Sequence, residues 1–188
     1  MEYKKVLKFL EIISLVFIVI SIVEIVFIIL FNFTEFNFGG NSILLAEFIY
    51  SGSISPLAGT ILWLILNVSM VCFLLVSLFL YKISKSTKIK SRSLAKYMVV
   101  IGMVILIAGL IKLNYLVLLG KIKLTPISGT IKFQEALYDL YITPLMPGIF
   151  WVFFISADCC FMMGGLFVTG VGIKYTILQD NQESSTNS

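Results

Sequence analysis

Residues 94–119 read LAKYMVVIGMVILIAGLIKLNYLVLL, and beyond Lys96 a single charged side chain, Lys112, interrupts the apolar run. The hydrocarbon core of a bilayer, about 30 Å thick, is crossed by about 20 apolar residues in a helix that rises about 1.5 Å per residue. The stretch therefore reads as a transmembrane helix. Three others meet the same requirement, Leu7–Phe31, Leu57–Tyr81 and Leu145–Ile173. The fold expected is all-α: a single four-helix transmembrane bundle over residues 1–188, closed by a polar tail at 179–188 that is expected to be disordered.

Composition points to the same class. The 188 residues are 59% hydrophobic and 13% charged, with a mean hydropathy of +1.04; about 25% of a soluble domain is charged. The first stretch follows Lys4, Lys5 and Lys8 as a secretory signal would. It is too long for a signal core, however, and runs on into Phe31-Asn32-Phe33-Thr34 with no small-residue cleavage site, so it is expected to be retained.

Basic residues set the expected orientation. Lys82, Lys85, Lys88, Lys90, Arg92 and Lys96 crowd the connection between spans two and three, while residues 32–56 contain no lysine or arginine. By the positive-inside rule the basic connection and both termini are cytoplasmic, and the loops at 32–56 and 120–147 face outward, even though the second holds Lys121, Lys123 and Lys132. Tyr3, Tyr81, Tyr97 and Tyr175 fall at the inner span ends, and Trp63, Tyr115 and Trp151 near the outer ones, as interfacial aromatics do. The protein is expected in the cell membrane, with the lipid bilayer as its surroundings.

Local patterns fill in the outer loops. Residues 121–127 and 130–133 alternate around Ser128-Gly129 and suggest a short hairpin, Gln134–Ile142 a brief amphipathic helix, and Ile43–Tyr50 a segment lying on the membrane surface or capping the bundle. The four-span outline resembles that of tetraspanins and claudins. Neither the outer-loop Cys-Cys-Gly of the former nor the Trp and paired cysteines of the latter is present, so no family is assigned.

Several chemistries are excluded by what the chain lacks. With no histidine, imidazole haem ligation, His-based zinc sites and Ser-His-Asp or Cys-His catalysis are ruled out. A phosphate-binding Gly-rich loop is also missing. The net charge of +4 sits largely in the inner connection, which argues against a nucleic-acid partner. Cys72, Cys159 and Cys160 lie within spans and are expected to be buried small hydrophobes, and the glycosylation-like Asn32-Phe33-Thr34 and Asn67-Val68-Ser69 read as chance matches. No metal, cofactor or catalytic residue is assigned.

What remains is a polar layer. Each span carries one polar or ionisable residue at a similar depth: Glu24, Asn67, Lys112 and Asp158. A charge at the bilayer centre costs about 2.5–3.5 kcal/mol on insertion scales, so these residues are expected to compensate one another inside the bundle. Small and polar neighbours share their helix faces: Ser14 and Ser21 with Glu24, Thr60 with Asn67, Gly102 and Gly109 with Lys112, and Gly165, Thr169 and Gly172 with Asp158.

Two functions fit such a layer. In the first, it fixes helix order in a non-enzymatic accessory or assembly protein that associates with other membrane proteins or with itself. In the second, two carboxylates around one lysine carry protons or cations in a small oligomeric transporter. A membrane enzyme acting on a lipid-soluble substrate ranks third.

Overall fold

A computed structural model describes residues 3–38, 40–50, 56–85, 91–124, 130–139 and 147–186. Among these, four helices are long and apolar enough to cross a membrane: α1 (Tyr3–Leu30), α3 (Pro56–Ser84), α4 (Ser91–Gly120) and α6 (Pro147–Thr186), with a short helix α2 (Leu45–Tyr50) before α3 and another, α5 (Phe133–Asp139), before α6. The mean hydropathy of an 18-residue apolar stretch in each falls from 3.2 in α1 to 1.8 in α6, while the share of that stretch buried inside the structure rises from 22% to 44%.

Local chemistry explains where these helices start and stop. α1 contains neither Gly nor Pro. At its end the Ile29 and Leu30 carbonyls accept the Asn32 and Phe33 backbone N–H groups in a tightened last turn, and they also accept the Asn32 side-chain amide (3.2 Å) and the Thr34 hydroxyl (2.9 Å). Prolines open α3 and α6, at a position where the missing N–H costs nothing. Between Ile173 and Thr186 the sequence offers no Gly or Pro to stop α6, and the helix continues through most of the expected polar tail.

Packing divides the chain into two units. The first comprises Met1–Ser21, Val71–Leu110 and Cys159–Ser188. Its core holds Leu10, Phe17, Phe73, Leu80, Met98, Ile105 and Phe161, with the Phe73 and Phe161 rings stacked at 4.3 Å and Phe17 tilted on Phe161 at 4.9 Å. Glycines bring α4 and α6 together: a Cβ on Gly165 would lie 2.8 Å from the Gly102 carbonyl oxygen, and one on Gly102 would lie 2.7 Å from the Gly165 carbonyl oxygen. Only residues without side chains allow two backbones this close. Just beyond α3, the Lys85 ammonium meets the Glu11 carboxylate at 2.6 Å, and this hydrogen bond holds Lys85 above its usual pKa range.

The second unit is Ile22–Met70 with Ile111–Asp158. Here the first loop forms an antiparallel hairpin of β1 (Glu35–Phe38) and β2 (Asn41–Leu44), pairing Glu35 with Leu44 and Phe38 with Asn41. Gly40, at φ +87°, makes the tight turn. The sequence reading missed this hairpin, although Gly-Gly between two short β-prone runs is a recognised turn signal. α2 follows at once, and its Leu45, Ala46 and Phe48 are buried in a core with Leu66, Leu116, Phe133 and Trp151 rather than spread on a surface. Phe48 stacks on Phe133 at 6.0 Å, and Phe133 meets Trp151 edge-on at 5.8 Å.

In the other loop, β3 (Lys123–Leu124) pairs with β4 (Ile131–Lys132) over two residue pairs. The Ser128-Gly129 turn expected there lies outside the described residues. α5 coincides with the brief helix expected at Gln134–Ile142 but begins one residue earlier and is described to Asp139.

Three further expectations are corrected. Cys72, Cys159 and Cys160 are all exposed, so they are apolar surface rather than core. Trp151 and Tyr175, read as interfacial anchors, are buried in the cores of their units.

Candidate functional site

The site is built on the buried stripes of three helices. On α1 the buried positions are Val6, Leu10, Ser14, Phe17, Ser21, Glu24 and Ile28, a run of three- and four-residue steps that keeps one face inward and that Phe31, just past the helix end, continues. On α4 the same steps link Ala95, Met98, Gly102, Ile105, Gly109, Lys112, Leu116 and Leu119. On α6 they link Phe150, Phe154, Asp158, Phe161 and Gly165, with Ala157 buried beside Asp158. Each charge thus occupies a position that would otherwise hold a core side chain.

The structure brings Glu24, Lys112 and Asp158 together within the second unit. Lys112 Nζ donates to Glu24 Oε1 at 2.6 Å and stands 3.0 Å from Asp158 Oδ1. All three residues are 0% exposed. The two contacts differ in kind: the Glu24 contact is a hydrogen-bonded ion pair, whereas the Asp158 contact is within ion-pair distance but off the direction a hydrogen bond needs. The Phe154 ring lies 5.6 Å from the same ammonium and presents its π face to the cation.

Charge and hydrogen bonding are left unbalanced. One lysine faces two carboxyl groups, and neither Glu24 Oε2 nor either oxygen of Asp158 receives a hydrogen bond among the described residues. In an apolar interior an unsatisfied polar atom costs on the order of 1–3 kcal/mol, and more when it belongs to a charged group. Chemically, the arrangement can lock three helices in register or offer carboxylate oxygens to a proton or small cation. Among the described residues no group of three His, Cys, Asp or Glu is placed to hold a metal ion.

Asn67, expected as the fourth member, is exposed on α3. The inward face of α3 is set instead by Leu66, Met70, Phe73, Ser77 and Leu80. Asn67 follows Leu66 by one residue, about 100° around the helix, so a side chain at the right depth points away from the core. The sequence also passed over the Glu11–Lys85 pair and Phe154; for Phe154 the available signal was its spacing, four residues before Asp158 on the same face.

Comparison with known proteins adds no relative: no family model, no curated protein and no solved structure matches the chain.

Proposed function

We propose that the chain is a non-enzymatic multi-pass protein of the cell membrane, with both termini cytoplasmic, that serves as an accessory or assembly component through its helix surfaces. The observation that carries this reading is the enclosure of the charged trio. Glu24, Lys112 and Asp158 expose no surface, and Lys112 contacts both acids directly, as suits a device that selects helix neighbours rather than one that meets a solute. What the helices present outward is apolar: Val19, Ile29, Leu64, Val100, Ile111 and Phe167 are among many large side chains more than half or nearly half exposed. Such faces suit lipid, other membrane helices or a second copy. In the same reading the second outer loop closes as a hairpin about Ser128-Gly129.

A proton or cation carrier is the alternative, and it is favoured by the Asp158 oxygens, which accept no hydrogen bond among the described residues. Purified protein in liposomes with an imposed proton or potassium gradient separates the two. An assembly component leaves the gradient intact, and Asp158→Asn changes its stability or the proteins that co-purify with it. Flux through wild-type protein that Asp158→Asn abolishes in a still-folded chain would replace the first reading with the second, since an amide keeps the shape but exchanges no proton.

A further inference from the structure

Within the first unit an apolar groove of about 360 Å³ opens between α1 and α6, lined by Phe9, Ile12, Val16, Phe17, Met163 and Phe167. It owes its depth to Gly164, where a Cβ would lie 2.2 Å from Phe17 Cζ, so the ring settles against bare backbone. The rim is open, with Ile12, Val16, Met163 and Phe167 between 50% and 59% exposed. The two helices run in opposite directions: Phe17 packs on Phe161 and Gly164, while Phe9 shares the groove with Phe167.

That antiparallel arrangement brings lysines to one end. Lys8 stands one turn before Ile12 on the face that continues to Val16, and Lys174 stands two turns beyond Phe167 on the face that passes through Gly170. Both are exposed, and neither pairs with an acid among the described residues. Gly170 has nothing within 4 Å of where its Cβ would be. Each lysine thus stands at the same end of the groove, on its own helix in line with residues of the rim.

We propose that the groove seats one acyl chain of an anionic phospholipid whose phosphate is met by Lys8 and Lys174. The apolar walls take methylenes, and the paired ammonium groups supply the charge complement that a zwitterionic lipid satisfies less well.

Native mass spectrometry of the detergent-solubilised protein, titrated with phosphatidylglycerol or with phosphatidylcholine of identical chains, tests this. Each lysine near an anionic headgroup is worth roughly a fivefold preference, so wild type should retain phosphatidylglycerol roughly 25-fold better. Lys8→Gln with Lys174→Gln should bring the two lipids to parity, whereas Lys88→Gln with Lys90→Gln, an equal loss of charge in the inner connection, should leave the preference in place. Val16→Trp, which fills the groove, should abolish the first adduct of both lipids. Equal retention of the two lipids by wild type overturns the proposal, as does a preference that survives loss of Lys8 and Lys174 or disappears equally with Lys88 and Lys90. Should Val16→Trp fail to fold, the exposed lysine variants carry the test alone; a folded Val16→Trp that still retains the lipid removes the acyl-chain seat.

Discussion

Replacing Lys112 by methionine removes the only cation of the buried trio while keeping most of its length and apolar bulk. At an effective dielectric constant of about 20, contacts of 2.6 and 3.0 Å correspond to gross attractions of about 6 and 5.5 kcal/mol. Most of that is offset by desolvation, which is several kcal/mol for each buried ion, so the pair is not worth its Coulomb sum. Removing one partner is different, because the carboxylates stay buried with their desolvation uncompensated. Lys112→Met should therefore cost roughly 3–5 kcal/mol. Adding Glu24→Gln and Asp158→Asn to the same protein removes the uncompensated charge, and stability should return to within about 1–2 kcal/mol of wild type. Reversible unfolding in mixed detergent–dodecyl sulfate micelles, followed by circular dichroism, measures all three proteins and the Glu24→Gln/Asp158→Asn control. The reasoning fails if the triple variant equals the sum of its parts within about 0.5 kcal/mol, which is how independent sites behave.

Other expectations are equally direct. Gly165→Ala sets a methyl against the Gly102 carbonyl, which cannot move aside, and should cost about 1–3 kcal/mol in the same unfolding assay. Gly170→Ala meets open space and should be neutral or stabilising by up to about 1 kcal/mol. In a cysteine-free background, Ser53→Cys and Ser128→Cys should react with an impermeant thiol reagent on intact cells and Ser86→Cys should not; labelling of Ser86→Cys alone inverts the topology. Glu135 accepts a hydrogen bond from the Lys132 backbone N–H at 3.0 Å, which holds its carboxyl below the usual range. A carboxyl with a depressed folded-state pKa stabilises above its unfolded pKa and loses that contribution as pH falls through the folded one. Glu135→Gln should thus lower the unfolding midpoint at neutral pH and match wild type in strong acid.

The spans were legible because length and apolarity are properties of sequence alone, and no other arrangement satisfies so many backbone groups in lipid. The convergence of Glu24, Lys112 and Asp158 could be read because each shares a face with small or polar residues at helical spacing, so depth and rotation were both constrained. Asn67 had one polar neighbour on its face, Thr60, and that residue is exposed as well. With Leu66 and Met70 dominating the adjoining face, α3 is turned so that the amide faces out. The cysteines mislead similarly, since a residue apolar enough for a core is apolar enough for lipid. The β1–β2 hairpin escaped because Glu35–Phe38 and Asn41–Leu44 are too short to show a period of two, leaving Gly39-Gly40 as its one strong mark. The continuation of α6 into its polar end reflects the absence of a breaker, which composition does not register.

The downward run of hydropathy from α1 to α6 bears on how the protein is made. Glu24 emerges from the ribosome long before Lys112, and Asp158 emerges after both. α1 can afford that solitude: its roughly twenty Leu, Ile, Val and Phe residues favour insertion by about 6–12 kcal/mol, against about 3 for one central carboxylate. α6 is the least apolar span, and it brings its own acid with a series of glycines. On the membrane reading proposed above, its entry is expected to draw on a surface that earlier helices have assembled, with the Lys112 ammonium at the level where Asp158 arrives. Integration of the last helix would then be tied to correct association of the others, and a chain whose first three helices mispair is expected to insert its fourth poorly.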